Sequence, residues 1–288
     1  MLKYQAPAKL NLVLEVLGKR EDGYHEISSL VQTIDLCDNL FLEPAGDISL
    51  ECNEPTLETS DNLVVRAAEL LREVTGFNRG ARIRLEKHIP WSVGLGGGSS
   101  DAATTLIALN RLWDLKLVAG NLIELAARLG SDVPFFIHGG TALIEGRGEK
   151  VTPLPNSRSA YFVLLVPPLP KIPDKTRRLY SILGIGHFSD GSCVNRAMKL
   201  WSQEKQINPG LYFNVFDGVA FDAFPKLDDY WKHFEEAGAR DIHLAGSGPC
   251  LFSAADSKAK AEQIQHLLRQ HKLEAYAAAT IVNVSTKR

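Results

Sequence analysis

Ile89-Pro90-Trp91-Ser92-Val93-Gly94-Leu95-Gly96-Gly97-Gly98-Ser99-Ser100-Asp101-Ala102-Ala103 is the stretch that decides how this chain is read. Ahead of it Arg82 to Lys87 alternates, with Ile83 and Leu85 pointing one way, as a strand does, and Ile89-Pro90 breaks that strand sharply. Behind it Ala102, Ala103, Leu106, Ile107, Leu109, Asn110 and Trp113 continue a helix-forming run, for which Ser99, Ser100 and Asp101 are all suitable N-caps. The order is therefore strand, glycine loop, helix. Glycines let backbone N–H groups approach an anion that side chains would otherwise exclude. The helix adds unpaired N–H groups and the positive end of its dipole at the same point, so a di- or triphosphate is the expected guest. Ser99 and Ser100 can add hydroxyl donors. Glycine and serine content alone fits a flexible surface loop equally well, and it is the flanking strand and helix that favour the phosphate cradle. No lysine follows the last glycine, which excludes a Walker A loop, and the glycine spacing is not the dinucleotide fingerprint. The sequence also holds no HRD or DFG, which excludes a protein kinase.

Working outward, Asp61 or Asn62 can cap a helix whose apolar face carries Leu63, Ala67, Leu70, Leu71 and Val74 and which Gly76 stops. A further helix over Asn121 to Leu129 is closed by Gly130, and Ser131-Asp132-Val133-Pro134 opens the next, with Asp132 at its mouth. Near the start, Leu10, Leu12, Leu14 and Val16 alternate as a half-buried strand ended by the polar run Gly18 to Gly23. Val151 to Ser159 is rich in proline and serine and predicts a boundary between domains over 1–155 and 156–288. Beyond it the expected order is strand (Tyr161 to Val166), several helices, helix (Lys226 to Ala237), strand (Ile242 to Ala245), strand (Cys250 to Ala254), helix (Lys258 to Gln270) and strand (Ala275 to Val284). That is a split βαβ layout with extra helices.

Composition narrows the functions. Of the 288 residues 45% are hydrophobic and 23% charged, which predicts a chain that folds unaided. The formal net charge of -2 supplies no global positive field, so nucleic acid is not an expected partner. Cys37, Cys52, Cys193 and Cys250 are scattered without the close spacing of zinc or redox pairs, and fit free thiols in a reducing cytoplasm. With no long apolar run, a cytoplasmic protein free of the membrane is expected. The histidines form no HExxH pattern and no carboxylate cluster marks a fixed metal.

Three segments together resemble the GHMP kinase superfamily. They are Ala6-Pro7-Ala8-Lys9-Leu10-Asn11-Leu12, Pro90 to Ser100, and Leu244-Ala245-Gly246-Ser247-Gly248-Pro249. Within it, Lys9-Leu10-Asn11-Leu12, Arg20-Glu21-Asp22-Gly23-Tyr24-His25 and Gly130-Ser131-Asp132-Val133-Pro134-Phe135-Phe136 resemble the branch that phosphorylates a cytidine diphosphate sugar alcohol in non-mevalonate isoprenoid synthesis. The resemblance implies an α+β, two-domain GHMP kinase fold: an N-terminal domain like the second domain of ribosomal protein S5, and a C-terminal ferredoxin-like split βαβ domain. It implies ATP, with magnesium delivered by the nucleotide, small molecules as the only partners, and a monomer or weak homodimer. The superfamily's small residues after the proline are replaced here by Trp91, Ser92 and Val93.

The resemblance also implies roles for single residues. Pro90, Trp91, Ser92, Val93, Gly94, Leu95, Gly96, Gly97, Gly98, Ser99 and Ser100 are expected to hold ATP. Asp132 is implied to accept or orient the substrate hydroxyl proton, and Lys9 to stabilise the alkoxide and the transferring group. On their own residues, Asp132 can equally be a helix cap and Lys9 a solvated charge. Tyr24 and His25 are implied to hold cytosine, where plain packing and an exposed loop histidine are the alternatives. Thr176 and Tyr180, one helical turn apart, resemble the second cytidine wall, and Asn11 is implied to touch the erythritol portion. Gly246-Ser247-Gly248 is an ordinary tight turn by its chemistry, and the resemblance places it against the glycine loop and substrate. A catalytically silent nucleotide-binding protein on the same fold is the alternative that Trp91-Ser92-Val93 suggests.

Overall fold

The computed structural model describes residues 1–155 and 157–281. The first half of the chain folds as β1 (Leu2–Lys19), β2 (His25–Ala45), β3 (Ser49–Cys52), α1 (Leu63–Thr75), β4 (Gly80–Glu86), α2 (Gly97–Leu112), α3 (Ala119–Leu129), α4 (Val133–His138), β5 (Thr141–Gly146) and β6 (Lys150–Leu154). The remainder gives β7 (Tyr161–Val166), α5 (Lys175–Ile182), α6 (Ser192–Glu204), β8 (Phe213–Asn214), α7 (Ala220–Ala223), α8 (Leu227–Glu236), β9 (His243–Leu244), β10 (Leu251–Ala255), α9 (Lys258–Gln270) and β11 (Glu274–Ala279). Positions 282 to 284 of the last expected strand lie outside the described residues.

The first sheet runs β3-β4-β2-β1-β8, with β5 on β2 and β6 on β5. β2 is long enough to take β4 along Asn39 to Ala45 and β5 along Ile27 to Gln32 on one edge, while β1 follows it along the other. The last member, β8, comes from the second half of the chain and pairs in parallel with Val13 and Leu14. The sheet therefore crosses the boundary expected near residue 155. The second sheet has the order β11-β7-β10-β9, antiparallel throughout, with helices between β7 and β9 and α9 between β10 and β11. This is the split βαβ arrangement read from the sequence.

β1 departs from the half-buried strand expected of it. Every residue from Ala6 to Val16 is buried, because the second half of the chain covers the face that the alternation assigned to water. Glu15, fully buried, shows how a polar residue survives there. Its carboxylate accepts hydrogen bonds from the Cys193 and Val194 N–H groups at 3.2 and 2.7 Å, capping the start of α6. The pairing of β1 with β2 also shifts between Asn11 and Val13, leaving Leu12 as an extra residue. Such a bulge exchanges the faces of the residues on either side of it. Leu10 and Leu12 accordingly pack with Phe162, Leu164 and Phe252, whereas Leu14 and Val16 join the larger core cluster with Ile27 and Val31.

The helices follow local rules more closely. Asn62 caps α1 by accepting from the Val64 N–H at 2.9 Å, and Gly76 ends it at φ 67°. Among the described residues no helix is long and apolar enough to cross a membrane.

Candidate functional site

The helix after the glycine loop begins earlier than Ser99, Ser100 and Asp101 suggest. Gly96 adopts φ 72°, a left-handed turn natural to glycine, and the first intrahelical bond runs from the Ser100 N–H to the Gly96 carbonyl at 2.9 Å. The first turn of α2 is thus made of Gly97, Gly98 and Ser99, whose N–H groups have no partner within the helix. Among the described residues no side chain caps it. Ser100 is fully buried and its hydroxyl finds no hydrogen-bond partner among the described residues, while Asp101 is drawn inward by Lys87.

Two contacts fix the loop. The Lys9 N–H donates to the Leu95 carbonyl at 3.0 Å from one side, and the Cys250 N–H to the Val93 carbonyl at 3.2 Å from the other. The loop and the Gly246-Ser247-Gly248 turn approach so closely that a Cβ on Gly94 would lie 1.8 Å from the Ala245 carbonyl oxygen. Asn214 holds that turn, its Nδ2 donating to the Leu244 and Gly246 carbonyls at 2.8 Å each. Beside the loop lies a cavity of about 460 Å³. Lys9, Asn11, Pro90 to Ser99, Asp132, Thr176, Tyr180, Gly246 and Ser247 all line it.

The bulge in β1 explains how one strand supplies this wall. Lys9 and Asn11 share a face, two residues apart; Leu14, three further on, faces the same cavity because Leu12 is extra. Lys9 is only 6% exposed, which removes the solvated-charge alternative. Its Nζ donates to Asn11 Oδ1 at 2.6 Å. Asn11 Nδ2 donates in turn to Ser29 Oγ at 2.8 Å, and that hydroxyl to the Val13 carbonyl at 2.7 Å. Asp132 stands at the mouth of α4 but makes no cap hydrogen bond, so the capping alternative fails as well. Its carboxylate, about half exposed, points its Oδ2 at Lys9 Nζ across 3.7 Å. A pinned ammonium therefore faces an unconstrained carboxylate across a gap too long for a hydrogen bond.

At the other end Thr176 Oγ1 lies 3.0 Å from Ser247 Oγ, tying α5 to the turn. Tyr180 stacks on His25, with ring centroids 4.9 Å apart and planes at 25°. Burial and the nearby Lys19 hold the His25 pKa below its ordinary value, which favours the neutral ring. Tyr24 is not gathered into the cavity. It is exposed, and the Arg147 guanidinium covers its ring at 4.8 Å.

Beneath the loop is a cluster that sequence reading missed. Lys87, buried, bonds both Asp38 Oδ2 and Asp101 Oδ2, the latter at 2.7 Å. Asp38 Oδ1 also accepts the His88 and Ile89 N–H groups at 2.6 and 2.8 Å. Burial pushes the Asp101 carboxyl up to about 8, against the pull of Lys87 and with the repulsion of Asp38. Burial weighs on Asp101 because its Oδ1 has no hydrogen-bond partner among the described residues, whereas Asp38 accepts three hydrogen bonds. The cluster touches the loop, since a Cβ on Gly97 would stand 3.2 Å from Lys87 Nζ. Asp38 lies 49 residues before Lys87 in sequence, and no local pattern joins them.

The chain is similar to known kinases along nearly its whole length. The GHMP kinases N terminal domain matches residues 62–140, and the GHMP kinases C terminal domain matches residues 192–272. A 4-diphosphocytidyl-2-C-methyl-D-erythritol kinase from Dehalococcoides mccartyi is 45% identical over 98% of this chain and 99% of its own. One from Symbiobacterium thermophilum is 39% identical over 98% and 100%. Among solved structures, a 4-(cytidine 5'-diphospho)-2C-methyl-D-erythritol kinase superposes with a TM-score of 0.80 at 34% identity, covering 97% of this chain and 99% of that one. A homoserine kinase from Cytophaga hutchinsonii, at 18% identity and TM-score 0.72 over 98% and 95%, shares the fold. With full-length relatives at this identity and both halves matched, the chain belongs to the 4-diphosphocytidyl-2-C-methyl-D-erythritol kinase family of GHMP kinases.

Proposed function

We propose that this protein transfers the γ-phosphoryl group of ATP to the 2-hydroxyl of 4-diphosphocytidyl-2-C-methyl-D-erythritol, giving the 2-phosphate and ADP on the non-mevalonate route to isoprenoid precursors. The observation that carries the reading is the Lys9 Nζ to Asp132 Oδ2 separation of 3.7 Å, at the edge of a glycine loop that opens a helix. Phosphoryl transfer needs an alcohol held in line and negative charge stabilised, and little covalent help. In this reading the triphosphate lies along Pro90 to Ser99, held by the N–H groups of the first turn of α2. The acceptor hydroxyl enters the gap between Lys9 and Asp132. Its proton passes to the Asp132 carboxylate as its oxygen bonds to phosphorus, and the bond from phosphorus to the bridging oxygen breaks to release ADP. Lys9, oriented by Asn11 and Ser29, faces the charge on the entering oxygen and the transferring group.

Magnesium would come with the triphosphate, whose charge it would balance. The cytosine packs at the Tyr180 and His25 end, where the neutral imidazole can hydrogen-bond a base edge and Thr176 and Ser247 line the approach.

The test is ATP turnover, by coupled assay with magnesium, on purified 4-diphosphocytidyl-2-C-methyl-D-erythritol. Turnover is expected with this acceptor and not with mevalonate or homoserine. A well-folded preparation that binds ATP yet phosphorylates none of the three would return the chain to the silent nucleotide-binding alternative.

A further inference from the structure

We propose that Lys175 is a second ammonium contact for the phosphate chain of the nucleotide, a role that rests on the kinase reading above. Lys175 opens α5 and is buried, with its Nζ donating to the Gly248 carbonyl. It lines the cavity beside the glycine loop and also a second cavity of about 370 Å³, which shares Pro90, Trp91, Ser92 and Val93 with the first. The ammonium therefore stands where the two cavities meet, along the rim of the loop. The backbone confirms how near that is: the Gly248 nitrogen lies 3.0 Å from where a Cβ on Gly94 would stand.

A buried ammonium is costly unless an anion meets it. Among the described residues no carboxylate pairs with Lys175. Its charged neighbour is the Lys9 ammonium, which repels it, and the Cys250 thiol acts in the opposite sense. Burial, reinforced by Lys9, pulls the Lys175 pKa down to about 8. Lys87, equally buried, has two carboxylates and its pKa moves up instead. Two ammonium groups and two carboxylates, the half-exposed Asp132 and the exposed Asp174, line this cavity, and neither carboxylate lies within ion-pair distance of Lys175. A diphosphate supplies the missing anion.

Two ligands of the proposed reaction carry a diphosphate, and position separates them. The second cavity shares Lys175 and the Pro90 to Val93 rim with the first, but neither Thr176 nor Tyr180, the wall assigned to the cytidine. The nucleotide donor is thus the partner that the geometry selects.

Calorimetric titration of the full chain with ADP, adenosine and CDP, magnesium present, tests the assignment. Lys175→Met is expected to weaken ADP about 10- to 100-fold, the range of a charge-assisted contact, while adenosine and CDP keep their wild-type affinities. Its ligand-free melting temperature is expected at or above that of the wild type, because an unpaired buried charge has been removed. Lys175→Arg should retain the preference for ADP over adenosine, and it serves as the reading variant if Lys175→Met does not fold. Equal weakening of ADP and adenosine, unchanged ADP binding, or a loss confined to CDP would each overturn the proposal. Wild-type protein that binds no ADP would remove the kinase reading and this assignment together, whereas tight wild-type binding left intact in the variant removes Lys175 alone.

Discussion

Lys9 with Asp132, and Lys87 with Asp38 and Asp101, are made of the same chemical groups and lie against adjacent glycines of one loop. A Cβ on Gly96 would stand 3.0 Å from Lys9 Cγ, and one on Gly97 3.2 Å from Lys87 Nζ. In the first cluster the carboxylate is half exposed and stands 3.7 Å from the ammonium, so neither group is consumed by the other. In the second every member is buried and the ammonium bonds both carboxylates directly. Chemistry requires a gap that an incoming hydroxyl can fill. A sealed cluster has none, and what it can do is fix the backbone at His88 and Ile89, which leads into the loop, and fill the space beside Gly97.

The contrast fails if the open cluster turns out to be structural. Asp132→Asn keeps the shape and removes the proton acceptor, so turnover is expected to fall about 10²- to 10⁴-fold with an unchanged melting curve. Near-normal turnover of 4-diphosphocytidyl-2-C-methyl-D-erythritol by this variant would strip Asp132 of its role. Asp38→Asn probes the sealed cluster and should do the reverse. It takes charge from the carboxylate that holds Lys87 and two backbone N–H groups, and losing hydrogen bonds to a buried charged group costs about 1.5–3 kcal/mol while Asp101 remains to pair with Lys87. Denaturant unfolding measures that cost, and a loss below about 1 kcal/mol would show that the cluster does not brace the loop.

The two clusters also differ in how far the sequence revealed them. The glycine loop was legible because its chemistry is local: strand, glycines and helix follow one another within some thirty residues. The limits of α1, β7 and α9 were legible for the same reason, through caps and apolar periodicity. The start of α2 was misplaced by three residues or more, since good capping side chains at 99 to 101 concealed the fact that Gly96 can make the turn on backbone alone. In β1 the regular spacing of Leu10, Leu12, Leu14 and Val16 hid the bulge at Leu12. A period of two cannot disclose that the strand changes faces midway, nor that a second layer buries its polar side. Lys9 and Asp132 were named through family resemblance, and only the fold brings them together. Nothing comparable pointed to the buried cluster, whose members come from β2, the segment after β4, and α2. Lys175 gave no signal either, because a lysine at a helix start reads as a surface charge until its burial is known.

The sealed cluster's charge state is tested by a pH dependence rather than by a single loss. One ammonium between two buried carboxylates leaves an excess negative charge, which the protein relieves by keeping Asp101 protonated up to about pH 8. In the unfolded chain this carboxyl ionises near 3.8. Between these values the native state holds a proton that the unfolded state has released, so the contribution of Asp101 to stability is complete at low pH and is lost as pH rises toward 8. Asparagine resembles the protonated acid in shape and charge. Asp101→Asn should therefore lie within about 1 kcal/mol of wild type near pH 4, the scale of a near-isosteric change. It should gain on wild type steadily as pH increases, with the gap levelling off above pH 8. Unfolding free energies of the two proteins measured from pH 4 to pH 9 decide the matter. Parallel curves would mean that Asp101 is ionised in the native state, and that the sealed cluster carries its full negative charge beneath the loop meant to receive phosphate.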